Sequence, residues 1–279
     1  MLYHLLKAGI MHKALWITSA LAAAAVTIGT VHFNKSSGAA VQSAPAGNTA
    51  AVAPLKISQK AKAKAPVVVE FFTSQGCSSC PPSDRLAARL ARDPGILVIQ
   101  RPVTYWDRLG WKDTLGKEAN TSLQRAYSRR TLKGRNGVYT PQAVVSGTSG
   151  LVGSREKDLR TLISNSRAAP SAQVKIARQS DGSAEVMITG SPSPRAQVHL
   201  VGLDRSETVT ISRGENGGRT LNYTNVFKGE RALGSLMGGD ASFMVDTDKM
   251  PIDGANAYAI IVRQNDAGPI LAGHMLPQA

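Results

Sequence analysis

Cysteine is almost missing from this chain: two in 279 residues, both in Gly76-Cys77-Ser78-Ser79-Cys80-Pro81-Pro82. So low a count excludes a scaffold held by several disulfides. The five histidines (His4, His12, His32, His199 and His274) show no paired spacing, so a four-ligand structural zinc site is a poor fit. Aromatic residues are scarce, at 5%, which leaves a core built mainly from Val, Ile, Leu and Ala. Acidic residues are absent from positions 1–65, which carry seven Lys/Arg, whereas positions 66–279 hold 26 Lys/Arg against 19 Asp/Glu. Half of the formal charge of +14 therefore belongs to the N-terminal segment, and the remainder is too weakly basic to mark a nucleic-acid binder. With 42% hydrophobic residues the chain is not a disordered one.

That N-terminal segment reads as an export signal. Lys7, His12 and Lys13 precede an uncharged run from Ala14 to Val31, the order of a signal peptide or an uncleaved N-terminal anchor. Either outcome over 1–33 puts the body in the periplasm or outside the cell, released or held at the inner membrane. In such a compartment a lone cysteine pair can be oxidised. Positions 34–65, rich in Ala, Ser, Pro, Gly and Lys, read as a flexible linker.

Beyond the linker the pattern predicts two folded units meeting near Pro170. In 66–169, Val67–Phe72 is too apolar to alternate and predicts a strand buried on both faces. Pro81 and Pro82 suit the first turn of a helix carrying Leu86, Ala87 and Leu90 at helical spacing. A strand at Ile96–Ile99, a helix over Glu118–Arg130, a strand at Ala143–Val145 and a helix over Glu156–Ser166 follow, an α/β order. In 170–279, short strands separated by Gly, Pro, Asp and Asn predict an antiparallel sandwich. Among them are Gln197–Leu203, Glu207–Ile211, Arg219–Val226 and Ala257–Val262.

The C-x-x-C pair lies between a predicted strand and a predicted helix. Unpaired amides and the helix dipole favour a thiolate there. Cys77 would attack a disulfide, and Cys80, one turn in, would resolve the mixed disulfide. A static local disulfide, and copper(I) held by two thiolates, remain alternatives. Glu70, seven residues before Cys77 in an apolar strand, would be desolvated and able to pass protons to the second thiol. Trp106 and Trp111 either wall a groove for an extended peptide or fill the core. Tyr139 and Thr140 precede Pro141 at the mouth of a strand and join them as candidate substrate-binding residues. Arg125, Arg129, Arg130, Lys133 and Arg135 read as a solvated basic face, and Gly214-Glu215-Asn216-Gly217-Gly218-Arg219 as a hairpin turn or a loop folded over a neighbouring site.

Several blocks together carry a resemblance. They are Phe71-Phe72-Thr73-Ser74-Gln75-Gly76-Cys77-Ser78-Ser79-Cys80-Pro81-Pro82-Ser83-Asp84, Tyr105-Trp106-Asp107, Leu109-Gly110-Trp111-Lys112-Asp113, Gln124-Arg125-Ala126-Tyr127, Val138-Tyr139-Thr140-Pro141-Gln142 and Gly214-Glu215-Asn216. The chain resembles domain-of-unknown-function family 1223, secreted bacterial proteins related to the thioredoxin-like superfamily. The resemblance implies an α/β thioredoxin-like domain followed by an all-β, antiparallel sandwich-like C-terminal domain. It implies Cys77 and Cys80 at a redox position, Pro141 as a cis-proline beside them, and Glu70 close to a buried acid. The expected activity is that of an exported thiol–disulfide oxidoreductase on protein or small-molecule thiols, with no cofactor and no metal. The expected partners are thiols and disulfides rather than nucleic acid, and the uncleaved N-terminus would make a membrane tether. The rivals are a non-catalytic envelope binding module with a structural disulfide, and a protein delivering copper(I) or a thiol ligand.

Overall fold

The computed structural model describes residues 65–134, 137–167, 172–190, 195–265 and 267–277. The leader and linker expected over 1–65 fall outside them except for Ala65. In chain order the elements are β1 (Val67–Thr73), α1 (Pro81–Leu90), β2 (Ile96–Pro102), α2 (Glu118–Arg130), β3 (Lys133–Gly134), β4 (Gln142–Val145), β5 (Ser149–Val152) and α3 (Glu156–Ser166). There follow β6 (Ala172–Arg178), β7 (Ala184–Gly190), β8 (Ala196–Thr210), β9 (Thr220–Leu236), β10 (Ala241–Val245), β11 (Ala257–Gln264) and β12 (Ile270–Met275).

The expected division into a thioredoxin-like α/β domain and a separate β-sandwich is overturned by the sheet topology. Among the described residues one mixed sheet of nine strands runs β12-β11-β8-β9-β2-β1-β4-β5-β3, and only β10, β7 and β6 form a second sheet. Four strands from the stretch assigned to the C-terminal domain (β8, β9, β11 and β12) thus continue the sheet begun by β1; the last of them, β12, has no counterpart among the strands the sequence predicts. The join is the parallel pairing of β2 with β9 at Gln100 and Val226. Side chains secure it: Gln100 Oε1 accepts the Thr224 amide, and Asn225, at φ 49°, donates from Nδ2 to Val98 O at 3.1 Å. Asparagine tolerates that left-handed conformation better than most residues. β8 and β9 are long, 15 and 17 residues, and pair antiparallel with bulges after Val198 and Gly202. The two short strands expected at Gln197–Leu203 and Glu207–Ile211 are one.

All seven residues of β1 and all seven of β2 are buried, because each strand is covered on both faces. The pleat sorts their side chains. Val67, Val69 and Phe71, with Ile96 and Val98, face α1 and α3 through Leu86, Ala87, Leu90, Leu159 and Ile163. Each such side chain contributes roughly 1.5–3 kcal/mol on full burial. Val68, Leu97 and Ile99 point the other way, into a core shared with Val201, Leu203, Phe227 and Ile261. β12 lies back over this second face, where a Cβ on Gly273 would overlap Val68.

Candidate active site

The cysteines sit where β1 gives way to α1. Pro81 and Pro82 open the helix, where a missing amide proton costs little, and Cys80 is its N-cap. Cys77 and Cys80 form a disulfide with Cα atoms 5.4 Å apart. Hydrogen bonds pin the approach: the Gln75 amide donates to Asp113 Oδ2 at 2.7 Å, Gly76 N to Ser74 Oγ at 3.1 Å, and Cys77 N to Ser74 O at 3.1 Å. Ser78 and Ser79 are exposed, yet both cysteines are 0% exposed.

The loop joining β8 to β9 is bonded onto the backbone of the cysteine segment. Asn216 is buried between exposed neighbours, and its Nδ2 donates to the carbonyls of both Gln75 and Cys77, at 2.9 Å each. Its Oδ1 accepts from Arg219 at 3.0 Å. Next to it, Glu215 Oε2 accepts the Ser78 amide at 3.0 Å. Ser78, through its hydroxyl and amide, holds the Glu215 carboxyl below its ordinary pKa. One carboxylate thus occupies an amide at the mouth of α1, where a thiolate would otherwise find it. The loop is a hairpin turn and also a cover over the motif.

The tryptophans brace the segment that leads into the cysteines. Trp106 Nε1 donates to Thr140 Oγ1 at 2.8 Å, and its Cβ would stand 3.3 Å from a Cβ added at Gly76. Trp111 Nε1 donates to Gln75 Oε1 at 2.8 Å. Both rings are half-buried, and their N–H groups are spent inside the protein. The Thr140–Pro141 peptide bond is cis. Pro141 O accepts the Gly153 amide at 3.0 Å, and Gly153 lies against Ser83 in the first turn of α1. Tyr139 O receives Gln124 Nε2 at 2.7 Å, tying that segment to α2. The structure therefore gathers Cys77, Cys80, Trp106, Trp111, Thr140 and Pro141 around one motif.

Glu70 is not in that group. It lies on the face of β1 turned away from α1, between Val68 and Phe72. There it accepts Arg101 Nε at 2.6 Å, Arg263 at 3.0 Å and the Tyr127 hydroxyl at 2.5 Å. Burial alone would raise its pKa; Arg101, Arg263 and Tyr127 outweigh that and hold it below the ordinary carboxylate range. Glu230 completes the cluster, 3.8 Å from Arg101 and 3.9 Å from Arg263, and the Arg101 guanidinium stacks 4.3 Å from the Phe227 ring centroid. Glu70 thus ties the first strand to β2, α2 and β11.

On the α1 face stands an acid that sequence reasoning passed over. Asp84, 3% exposed, follows Cys80 by four residues, and its amide donates to Cys80 O at 3.0 Å. Its Oδ1 accepts Gln100 Nε2 at 2.8 Å. Its Oδ2 has no hydrogen-bond partner among the described residues, nor have the hydroxyls of Thr73 and Tyr223, all buried. The Thr73 hydroxyl faces the carboxyl without closing a bond of good geometry. Burial, with the charge of Asp113, pushes Asp84 up to about 7, against the pull of Thr73, Gln100 and Arg85. An acid in the first turn ordinarily reads as a surface group answering the helix dipole, which is why the sequence alone hides it. Asn216 had only its glycine-rich surroundings as a signal.

Among the described residues no cluster of His, Cys, Asp and Glu is arranged to hold a metal ion, and no helix is long and apolar enough to cross a membrane. No curated protein matches the chain. A crystal structure of an Agrobacterium tumefaciens protein from a structural genomics programme is similar, at 26% identity and a TM-score of 0.65, over 76% of this chain and 96% of that one. HBP35 of Porphyromonas gingivalis matches more loosely, at 15% identity and a TM-score of 0.48 over 76% of this chain and 75% of its own. With the model of the family described as protein of unknown function (DUF1223) matching residues 68–263, the blocks around the disulfide and its covering loop have a common origin: the chain belongs to that family.

Proposed function

We propose that this protein is an exported thiol–disulfide oxidoreductase whose reactive disulfide is gated by the loop over 213–219. The observation that carries the reading is a Cys77–Cys80 disulfide at the start of α1, beneath a loop with exposed residues on either side of Asn216. Once that loop lifts, the Ser78 amide and the helix start are free to stabilise a thiolate on Cys77. A substrate thiolate attacks Cys77, the electron pair of the old S–S bond leaves on Cys80, and a second substrate thiolate displaces Cys77, so that the substrate leaves as a disulfide and the pair is reduced. In the opposite direction Cys77 attacks a substrate disulfide and Cys80 resolves the mixed disulfide. Trp106, Trp111 and Thr140 hold the motif's loop in place, and protein or small-molecule thiols are the substrate class. The export-type leader supports a site of action in the periplasm or beyond.

The full burial of both cysteines favours a second reading, a structural disulfide in a binding module. Reduction potential and kinetics divide the two. The oxidoreductase reading expects folded protein to be reduced by a dithiol at a potential above about −300 mV. A lower potential, with reduction only on unfolding, selects the structural bond.

A further inference from the structure

The proposed exchange leaves a chemical need unmet by Glu70: a proton must reach Cys80 when the disulfide opens and leave it when the disulfide closes. Asp84 has the placement for this. On a helix, residues four apart share a face with Cβ atoms about 5–6 Å apart, and Asp84 stands so to Cys80. Its Oδ2 and the hydroxyls of Thr73 and Tyr223 are three buried oxygens with no hydrogen-bond partner among the described residues, an arrangement that a native interior rarely keeps dry. Asp84, though neither Thr73 nor Tyr223, also lines a cavity of 120 Å³ with Pro81, Arg85, Thr220, Leu221 and Asn222, with room for several waters. That cavity shares Pro81, Arg85, Thr220 and Leu221 with a wider groove of 480 Å³ that reaches Ser78 and Arg219. The cavity beside the acid and the groove at Ser78 therefore share a wall.

We propose that Asp84 is the proton-exchange group for Cys80, working through water held between Asp84, Thr73 and Tyr223. The inference rests on the oxidoreductase reading and deepens it. In the opening step a substrate thiolate bonds to Cys77 Sγ, the Cys77–Cys80 bond breaks, and its electron pair stays on Cys80 Sγ. The Asp84 carboxylic acid gives that sulfur its proton and becomes a carboxylate. In the closing step, from a mixed disulfide that reduced Cys77 has formed by attacking a partner disulfide, the carboxylate takes the proton from Cys80, Cys80 Sγ bonds to Cys77 Sγ, and the partner leaves as a thiolate. The partner disulfide is the oxidant, and atoms and electrons balance. The groups facing Asp84 are Thr73 from β1, Gln100 from β2, Tyr223 from β9, Asp113 from the segment before α2, and Arg85 on its own helix. Only Arg85 among them is cationic, and it is exposed. The acid therefore changes its charge near neutrality, where a proton can move either way.

The test is the rate at which Cys80 resolves a mixed disulfide preformed between Cys77 and 2-mercaptoethanol, followed against pH on the full chain. Wild type is expected to speed up as pH rises through about 7, tracking the acid. Asp84→Asn is expected to resolve at least tenfold more slowly at pH 7 and to speed up only at the higher pH where Cys80 ionises unaided. Glu70→Gln is expected to keep the wild-type profile. An Asp84→Asn profile that superimposes on wild type overturns the role of Asp84 and leaves the oxidoreductase reading standing. A wild type whose mixed disulfide never resolves overturns both. A measurement on wild type alone covers the case in which the variant fails to fold. The infrared difference between oxidised and reduced protein should contain a protonated carboxyl C=O band, and a flat spectrum in that region contradicts the proposal.

Discussion

Two buried acids stand on opposite faces of the same pair of strands, and they behave in opposite ways. Glu70 and Arg101 share one face of β1 and β2, with Arg263 and Tyr127 packed against them. Asp84 meets Gln100 and Thr73 on the other, with Tyr223 and Asp113 nearby and no buried cation. Burial is common to both and raises both pKa values. What differs is the company: two guanidinium groups overcome the burial of Glu70, whereas amides and hydroxyls fall short for Asp84. The first cluster fixes structure, the second is able to exchange a proton, and one pleat separates them.

The largest expected effect breaks the first cluster. Glu70→Ala leaves Arg101 and Arg263 buried with only the partly exposed Glu230, at 3.8–3.9 Å, for compensation. Removing one partner of a buried ion pair costs about 3–5 kcal/mol, so the urea midpoint should fall steeply. The stability that Glu70 contributes is present above its ordinary pKa of 4.5 and is lost as pH falls below it. A loss under about 1 kcal/mol would mean the cluster holds little.

Asp84 should show the opposite sign. It ionises near 3.8 in the unfolded chain and near 7 in the folded one, so its contribution is intact below pH 4 and is lost as pH rises through 7. Asp84→Asn should therefore match wild type in acid and exceed it by about 2–4 kcal/mol at pH 8–9. Denaturation at both pH values checks this, and equal offsets at the two would contradict it.

Smaller effects concern the cover. Asn216→Ala removes the bonds to Gln75 O and Cys77 O, about 1–3 kcal/mol of loop closure. It should speed reduction of the folded protein by dithiothreitol roughly five- to tenfold or more. Glu215→Gln withdraws an anion from the start of α1, where the helix dipole favours negative charge. It should speed reduction of the folded protein by roughly two- to fivefold, with less gain at high salt; a salt-independent gain would point to loop opening instead.

Much of this arrangement was open to sequence reading where the signal is local. The buried run of β1, the double proline opening α1 and the helices over 118–130 and 156–166 follow from spacing and composition. The fold class was not, because the junction of β2 with β9 rests on one register position and on the side chains of Gln100 and Asn225, more than 100 residues apart. The polar run Asp204-Arg205-Ser206 breaks the alternation although the strand continues through it in register, so one strand reads as two. Glu70 drew attention as a lone acid among apolar residues, but periodicity alone cannot say that its partners come from Arg101 and Arg263. Asp84 and Asn216 look like surface groups by type and are buried only by non-local contacts.

The account turns on whether Cys77 meets a substrate thiol in the folded protein. The direct measurement is expression of the full 279-residue Cys80→Ala chain in a bacterial host, acid quenching, and non-reducing separation of whatever is bound to Cys77. The account predicts discrete mixed disulfides that vanish on reduction and in Cys77→Ser, and that grow more abundant when Asn216→Ala is added. A Cys77 that stays free under those conditions, with the protein folded and the cover removed, would contradict it.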